Sequence, residues 1–348
     1  MLTTRENYLR AVRFESPEWI PCGVGCAPAV WHKYGRDLDA VHLAHPRLFP
    51  DFKPQEGEYY AEMPLAHREG EYYRDNWGCL WYNVHGGLEG QVVESPLADW
   101  SAFANYQPPD PMVSWERGEE VKDWAQIKAE CEKARAEGHL VGGNGERLFD
   151  RLYFLRGFEN LMVDIATDDP HLPALIEMLT DYELRAIRPY LEIGVDCVFF
   201  HTDIGSQRSL MISPAKFRKY IKPMFMEIFS TCHRGGALVS LSSDGHLLEI
   251  VDDLIECGVS VHDPQLRANT LPGIVAAYKG KLCANVDLDR QSFAFITPAQ
   301  IRDQVAGVVE AMYDPRGGMM ISGSIWDEHT PLENIEALAA AVEEFCFF

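Results

Sequence analysis

The amino-acid sequence predicts an α/β fold, a (β/α)8 TIM barrel of parallel strands joined by crossover helices. From about residue 115, short apolar segments alternate with helical ones, as expected when a helix carries the chain from one parallel strand to the next. The candidate strands between Val195 and Met319 begin about 31 residues apart, and eight such units fill a barrel of about 250 residues. Each candidate is short, apolar and bounded, which is typical of strands covered on both faces.

The predicted elements follow this rhythm along the chain. Residues 19–25 form the first strand, and its two glycines would let a ligand or a neighbouring backbone come close. A charged segment predicts a helix over residues 116–137, and an apolar run at 139–143 follows it. The later strands are predicted at residues 195–200, 237–241, 259–261, 282–286 and 319–321.

Helix starts are marked by capping residues. The segments 297–300 (TPAQ) and 330–333 (TPLE) each place Thr at the N-cap, Pro at the first helical position and Gln or Glu two residues later. That arrangement predicts a reciprocal capping box at both places. Ser213 and Asp169, each followed by proline, predict caps without the box.

Residues 50–112 interrupt the rhythm. They are rich in Tyr and Trp among Gly and Pro, with the alternation and turn signals of a hairpin rather than a helix. The segment is predicted to be a hairpin inserted in a single domain of residues 1–348, either as a lid over the site or simply packed against the main body.

Composition excludes several classes of function. Lys and Arg number 31 and Asp and Glu 53, for a net charge of −22, so nucleic acid is a poor partner. No segment approaches 18 uninterrupted apolar residues and the N-terminus lacks an export signal, so we expect a cytoplasmic protein without a membrane partner. The nine cysteines include no Cys-x-x-Cys pair, which indicates reduced, mostly buried thiols.

Polar residues gather directly after the predicted strands. They are His201, Thr202, Asp203, Ser242, Ser243, Asp244, His262, Asp263, Gln265, Asp287, Asp289, Ser322, Ser324, Trp326, Asp327 and Glu328. In a parallel barrel the carboxyl ends of all strands open on one face, so these residues are expected to line one pocket. For any single Asp or Ser, capping of the next helix is an equally good interpretation.

Other motifs carry less information. Residues 142–145 (GGNG) could form an anion-binding turn or a flexible strand-to-helix turn. The sequence contains no nucleophile elbow, no His-Glu-x-x-His and no paired cysteine ligands, which disfavours a nucleophilic hydrolase.

Five motifs spread over nearly the whole chain belong together. They are residues 5–12 (RENYLRAV) followed by Pro21, 210–220 (LMISPAKFRKY), 243–245 (SDG), 256–259 (ECGV) and 330–335 (TPLENI). This combination resembles the uroporphyrinogen decarboxylase superfamily. The resemblance implies a distorted (β/α)8 barrel with its site at the mouth, and commonly a homodimer. It also implies one of two activities: decarboxylation, or methyl transfer between a small substrate or carrier thiol and a protein-bound corrinoid.

Two departures from the family patterns bear on the choice of branch. Where decarboxylases of this superfamily carry an Arg-Gln-x-Gly-Arg stretch that holds their octa-acid substrate, residues 22–28 read CGVGCAP without an arginine. Where the thiol-alkylating methyltransferases hold zinc with a His-x-Cys pair and a later Cys, the matching positions are Ser242, Asp244 and Ser324. The sulfur-rich zinc site is therefore expected to be absent, and the chain most resembles relatives found with ether- or amine-demethylating corrinoid systems.

In such a reaction the heteroatom of the substrate needs a proton donor or a Lewis acid as its methyl group leaves. We expect Asp203 and Asp244 to be catalytic, since closeness of two carboxyls raises one pKa. The residues expected to bind substrate are His201, Gln207, His262, Gln265, Asp287, Arg147, Tyr153 and Trp326. Arg147 and Arg151 could hold a carboxylate or form ion pairs on the barrel.

The sequence leaves three functions open. The leading hypothesis is methyl transfer from a small O- or N-methyl substrate to a corrinoid carried by a partner protein. The second is decarboxylation of a porphyrinogen or a smaller acid, and the third is an inactive binding module. A divalent metal held by His201, Asp203, Asp244 or His262 is also left open, because imidazole and carboxylate are competent ligands.

Overall fold

The computed structural model describes residues 2–60, 63–116 and 120–348. The strands are β1 (Cys22–Cys26), β2 (Tyr72–Arg74), β3 (Leu80–Tyr82), β4 (Gln91–Glu94), β5 (Gly142–Arg147), β6 (Cys197–His201), β7 (Leu238–Ser242), β8 (Val261–His262), β9 (Cys283–Asp287) and β10 (Met319–Ile325). The helices are α1 (Thr4–Arg13), α2 (Pro28–Tyr34), α3 (Arg36–Ala44), α4 (Trp124–Ala136), α5 (Leu148–Arg156), α6 (Phe158–Thr167), α7 (Leu172–Ile193), α8 (Pro214–Lys216), α9 (Lys222–Arg234), α10 (Val251–Cys257), α11 (Leu266–Asn269), α12 (Leu271–Tyr278), α13 (Pro298–Met312) and α14 (Leu332–Cys346). A π-helical turn, Phe217–Ile221, joins α8 to α9.

A curled parallel sheet forms the centre of the molecule. Its strand order is β1-β10-β9-β8-β7-β6-β5, so each strand pairs with its neighbour in the barrel sequence, and helices carry the chain between them. The prediction of a distorted TIM barrel is confirmed. The distortion is that seven parallel strands, rather than eight, form the sheet of the described residues. No described strand pairs with the outer edge of β1 or of β5, where an eighth strand would lie.

The chain between α3 and β5 forms a separate small sheet instead. Strands β2, β3 and β4 are antiparallel, as the alternating pattern of residues 50–112 predicts. Trp77 and Trp81 are buried, and the Asp75 carboxylate accepts hydrogen bonds from the backbone N–H of Trp77 and the Trp81 indole. Trp81 meets Phe154 of α5 edge-on, with the ring centroids 4.8 Å apart. The insertion is therefore packed against the helix that follows β5.

The glycine-rich segment 142–145 is strand rather than turn. It pairs with β6, so the structure does not form the anion-binding turn or the flexible turn that this motif suggested. Packing requires these glycines, because a Cβ at Gly143 would lie 2.7 Å from the Tyr190 ring and one at Gly145 would lie 2.3 Å from the Phe200 ring. Such distances are far below ordinary contact, so only glycine lets α7 and β6 pack this closely.

The helix predictions are confirmed in part. The capping box at Thr297 is present, and Ser213 caps α8. The box predicted at Thr330 is wrong, because α14 begins at Leu332 with Pro331 as its N-cap. The charged helix predicted over residues 116–137 begins later, at Trp124, where Asp123 accepts hydrogen bonds from two backbone N–H groups of the first turn; residues 117–119 of that prediction lie outside the described residues. Within the described part of the chain, no helix combines the length and the hydrophobicity needed to cross a bilayer.

Candidate active site

The carboxyl ends of the parallel strands bring acidic side chains together, as the barrel topology predicts. Three carboxylates are linked in succession through backbone amides. Asp150 Oδ1 accepts a hydrogen bond from the backbone N–H of Asp203 over 2.7 Å, and Asp203 Oδ1 accepts one from the backbone N–H of Asp244 over 3.0 Å. Each carboxylate thus fixes the end of the next strand along the sheet.

Asp263 extends this chain of contacts after β8. Its Oδ1 accepts a hydrogen bond from the backbone N–H of Ser243 at 3.0 Å, and its Oδ2 accepts one from the Ser242 hydroxyl at 2.6 Å. Gln265, one turn further, accepts a hydrogen bond from the backbone N–H of Gly245 at 2.9 Å. The ends of β7 and β8 are therefore held together by side chains as well as by the short strand ladder.

Arg290 links Asp244 to Asp287, a further carboxylate at the end of β9. Its Nη2 donates to Asp244 Oδ2 at 2.7 Å and its Nη1 donates to Asp287 Oδ2 at 2.8 Å. Gln207 reaches the same region, with its Nε2 3.3 Å from Gln265 Oε1. The structure therefore brings together five of the predicted site residues, namely Asp203, Asp244, Gln207, Gln265 and Asp287.

Burial makes several of these carboxyl groups weak acids. Desolvation, reinforced by the negative charge of Asp203, raises the pKa of Asp150 to about 7. Desolvation also raises the pKa of Asp263 to about 7 and that of Asp287 to about 6, although Arg290 opposes the shift at Asp287. The pKa of Asp244 is raised by the same cause. Near neutral pH this mouth can therefore hold protons on carboxyl groups.

A cavity of about 550 Å³, called the donor cavity below, adjoins Asp150 and Asp203. Its aromatic wall comes from the insertion and from α5 and α6, and Asp150, Asp203, Glu89 and Arg147 supply its charged groups. The aromatic residues are Trp81, Tyr153, Phe154 and Phe158. Burial raises the pKa of Tyr153, and the nearby Asp150 carboxyl adds to the shift. The cavity has a volume typical of small-molecule sites.

Arg147 separates the donor cavity from a second cavity of about 230 Å³ and lines both. Its Nη2 lies 2.9 Å from Glu89 Oε2 and its Nε lies 3.4 Å from Glu116 Oε1. His201 lines the second cavity beside it, and desolvation together with the charge of Arg147 lowers the histidine pKa. The predicted residues Arg147, His201 and Tyr153 thus lie at the edge of the site, with the arginine already paired to acids.

Arg151 does not reach this site. Its side chain is fully buried, 2.6 Å from Glu116, 2.9 Å from Glu146 and 3.2 Å from Asp75. The ion-pairing interpretation of this arginine is therefore the one that the structure adopts. It thereby holds the insertion, which carries Asp75, and the segment after it, which carries Glu116, against the barrel.

Two predicted residues are not brought to the mouth. His262 is fully buried, with Nδ1 2.9 Å from the hydroxyl of Tyr278 on α12, so it faces the helix layer, and burial lowers its pKa to about 3. Successive side chains of a strand point to opposite faces, so Asp263 rather than His262 takes the inward position, and the buried His262 side chain is not placed for the expected substrate contact. Trp326 is half-exposed beyond β10 and lines neither of the two cavities.

Sequence reasoning gave no catalytic or binding role to Asp150, Asp263 or Arg290, although Asp263 was among the strand-end residues expected to line the pocket. Asp263 follows a predicted strand, so the strand-end rule pointed to it. Arg290 lies three residues after Asp287, a spacing at which a side chain can turn back to an acid. Asp150 lies in the first turn of α5, where an acidic residue is ordinarily interpreted as helix stabilisation, and nothing in the sequence marks it further.

The residues at the zinc positions have other partners. The Ser242 hydroxyl donates to Asp263 and the Asp244 carboxylate accepts from Arg290, and none of the three matching positions supplies a thiolate or an imidazole. They do not fit a sulfur-rich zinc site. Across residues 2–60, 63–116 and 120–348, no group of three or more His, Cys, Asp and Glu side chains is arranged to hold a metal ion.

Solved structures are similar to this chain to different degrees. A methyltransferase from Methanosarcina mazei superposes with a TM-score of 0.64 at 16% identity, over 99% of each chain. A D-psicose 3-epimerase aligns with 65% of this chain and 85% of its own, at a TM-score of 0.41 and 8% identity. A dihydropteroate synthase from Xanthomonas albilineans aligns with 52% of this chain and 60% of its own, at a TM-score of 0.32 and 11% identity. No curated protein sequence matches the chain.

The family assignment rests on sequence and agrees with the barrel. The family model for uroporphyrinogen decarboxylase (URO-D) matches residues 85–345, about three-quarters of the chain, and this range contains six of the seven parallel strands and the acidic cluster at their ends. The chain is a member of the uroporphyrinogen decarboxylase family.

Proposed function

We propose that the protein is a methyltransferase that takes a methyl group from a small O- or N-methyl compound in the donor cavity and passes it to a corrinoid carried by a partner protein at the barrel mouth. The observation that carries this proposal is the junction of an aromatic wall with the Asp150–Asp203 pair in one cavity. The Methanosarcina mazei relative of the same fold is described as a methyltransferase, which agrees with it.

The residues of the cavity suit the departure of a heteroatom. When a methyl group is transferred, the oxygen or nitrogen that held it keeps the electron pair of the broken bond and must be neutralised. A carboxyl with a pKa near 7, such as that of Asp150, is protonated in a large fraction of molecules at neutral pH and can supply that proton. The corrinoid would supply the cobalt nucleophile that accepts the methyl group.

Asp203 and Asp244 were both expected to be catalytic, and we propose different roles for the two. Asp203 lines the donor cavity and raises the pKa of Asp150 by its charge. Asp244 accepts a hydrogen bond from Arg290, while its backbone N–H holds Asp203 Oδ1. We therefore assign the proton donor to the Asp150–Asp203 pair and a positioning role to Asp244.

The charges disfavour a tetrapyrrole with many carboxylates. Arg147 is paired with Glu89 and Glu116, and Arg290 is paired with Asp244 and Asp287. A polyanionic substrate would meet acidic side chains, and the two arginines that could bind its carboxylates are already paired. Each unpaired carboxylate brought near another costs on the order of 1 kcal/mol or more. The proposal includes the homodimer that the family resemblance implies and the cytoplasmic location expected from the sequence.

The test is a methyl-transfer assay. The purified protein is mixed with cob(I)alamin-loaded corrinoid protein and a panel of methoxyaromatics and methylamines, and formation of methylcobalamin is followed by absorbance. We expect at least one donor to be consumed, and Asp150→Asn to slow that reaction while the exposed Asp303→Asn does not. Absence of methylcobalamin with every donor, together with release of carbon dioxide from a porphyrinogen or a smaller acid, would establish the decarboxylase alternative instead.

A further inference from the structure

We propose that the donor cavity is a site for an organic cation bearing N-methyl groups, of the choline or tetramethylammonium type. The inference deepens the proposed function by naming its substrate class. It rests on that function for the fate of the methyl group, but the binding of the cation follows from the cavity itself.

The aromatic wall has the form of a corner. The Tyr153 ring stands at 79° to the Phe154 ring and at 78° to the Phe158 ring, with centroids 4.8 and 5.6 Å away. Trp81 meets Phe154 at 65° from the other side. Rings set nearly at right angles present faces in several directions, and a methylated ammonium ion is attracted to such faces through cation–π interactions.

The rings of this wall already lie beside cations within the protein. The guanidinium carbon of Arg151 lies 5.5 Å from the centroid of Phe154, and that of Arg147 lies 6.0 Å from it. Both contacts are made to Phe154, whereas Tyr153 and the half-exposed Phe158 also line the cavity. The wall therefore has ring surface left for a ligand.

The charges around the cavity favour a cation over a neutral guest. Among its described lining residues, Glu89, Asp150 and Asp203 are acidic and Arg147 is basic. The guanidinium of Arg147 is compensated by Glu89 and Glu116, at 2.9 and 3.4 Å. The Asp150–Asp203 pair is thus left without a paired cation beside the aromatic corner, and a cation there would be attracted to the negative charge that the pair carries.

The chemistry of a methylated ammonium substrate is balanced without a further reagent. When the N–CH3 bond breaks, its electron pair stays on nitrogen, which leaves as a neutral amine, and the methyl group is transferred to cobalt(I), which becomes cobalt(III). A quaternary substrate needs no proton for this step. A tertiary amine enters as its protonated form, and the Asp150–Asp203 pair then serves as counter-ion that keeps the proton on nitrogen.

The decisive experiment needs only the purified protein. Choline and its uncharged isostere 3,3-dimethylbutan-1-ol are titrated by calorimetry in about 0.15 M salt, where nonspecific attraction to an acidic surface is screened. We expect choline to bind at least tenfold more tightly than the alcohol. Equal affinity for the two compounds, or no binding of either, would overturn the inference.

Variants place the binding in the cavity. Phe158→Ala removes a half-exposed ring and is expected to weaken choline at least fivefold, and Asp203→Asn is expected to weaken choline while leaving the affinity for the alcohol unchanged. The matched control is Phe295→Ala, since Phe295 is 84% exposed and does not line the cavity. An equal loss of choline affinity in Phe295→Ala and Phe158→Ala would contradict the assignment.

The same preparations separate this inference from the proposed function. If methoxyaromatics methylate the corrinoid but choline does not bind, methyl transfer stands and the cation site is wrong. If choline binds as expected but no N-methyl or O-methyl donor methylates the corrinoid, the cation site stands and the proposed function fails.

Discussion

Asp150 Oδ1, in the first turn of α5, accepts a hydrogen bond from the backbone N–H of Asp203 over 2.7 Å, which ties the start of the helix after β5 to the residues that follow β6. Burial and the charge of Asp203 raise the pKa of Asp150 to about 7. The hydrogen bond thus links the position of the Asp203 backbone to the protonation state of the Asp150 carboxyl group.

With a substrate that leaves as an alcohol, the rate of methyl transfer should depend on protonated Asp150. Because the protonated form is lost as the pH rises through about 7, kcat/KM should fall above that pH. Asp150→Asn should lower kcat/KM by about 10² to 10⁴ and remove this dependence. A pH–rate profile of the two proteins checks this, and an unchanged profile in the variant would contradict it.

Removing the cation that joins Asp244 to Asp287 should destabilise the mouth in a pH-dependent way. Arg290→Gln leaves both carboxylates without their ion pair, so the free energy of unfolding at pH 8 should fall by about 1 to 3 kcal/mol. The loss should be smaller at pH 5, because the raised pKa of Asp287, about 6, leaves that group mostly protonated there. Urea unfolding at the two pH values measures both effects.

The matched control for Arg290 is an exposed ion pair. Arg302 also makes two hydrogen bonds to a carboxylate, that of Glu344, but both side chains are about half-exposed. Arg302→Gln should therefore cost less than about 1 kcal/mol. Equal losses of unfolding free energy in the two variants would mean that the contacts of Arg290 contribute no more to stability than an exposed ion pair does.

Glu183 of α7 should make the protein less stable as the pH rises. Its side chain is fully buried, Oε2 accepts the backbone N–H of Glu146, and Oε1 has no partner among the described residues. Desolvation raises its pKa in the folded state to about 8 from an ordinary value of 4.5. Between these two pH values the folded protein holds a proton that the unfolded chain has lost, so stability falls as the pH rises.

Glu183→Gln should remove that part of the pH dependence. The neutral amide can still accept the bond from Glu146, so the variant should match the parent near pH 5 and be more stable than it at pH 8, by about 1 to 4 kcal/mol. Thermal unfolding across this range gives the comparison, with the exposed Glu249→Gln as control. Parallel curves for parent and Glu183→Gln would show that the buried carboxyl carries no such cost.

A methyl group at Gly245 should disturb the acidic cluster. Gly245 has a φ of +95°, and a Cβ there would lie 2.3 Å from the backbone carbonyl of Gly205. Gly245→Ala should therefore cost at least about 2 kcal/mol and move Asp203 and Asp244 apart. In Gly307→Ala the added Cβ meets nothing within 4 Å in α13, so this control should be neutral or stabilising by up to about 1 kcal/mol. Chemical denaturation of both variants decides between these outcomes.

Topology made part of the site predictable from sequence. Asp203, Asp244 and Asp287 follow apolar runs, and the rule that parallel strands end on one face brings them together whatever the details of each loop. The same rule could not decide whether His262 or Asp263 points inward, because β8 is only two residues long. A strand that short gives no alternating pattern from which its inward face can be determined.

Other features depended on contacts between distant segments. Arg147 and Arg151 are four residues apart with similar neighbours in sequence, yet one lines cavities and the other is fully buried among three acids. Those acids come from the insertion, from the segment that follows it and from β5, so their arrangement exists only after the insertion has packed. The glycines of β5 likewise suggested a turn, because the rings of Tyr190 and Phe200 that require them are far away along the chain.

Among the described residues, no hydrogen-bonded ladder joins the outer edge of β1 to that of β5. The ring of strands therefore has an open seam between these two edges. In a fully closed barrel, widening the ring means breaking hydrogen bonds between two strands. Here the ring can spread at the seam while all six parallel ladders stay intact. A large ligand or partner at the mouth could therefore widen the ring at this seam, beside Gly23 of β1 and Gly143 of β5, without breaking a strand ladder.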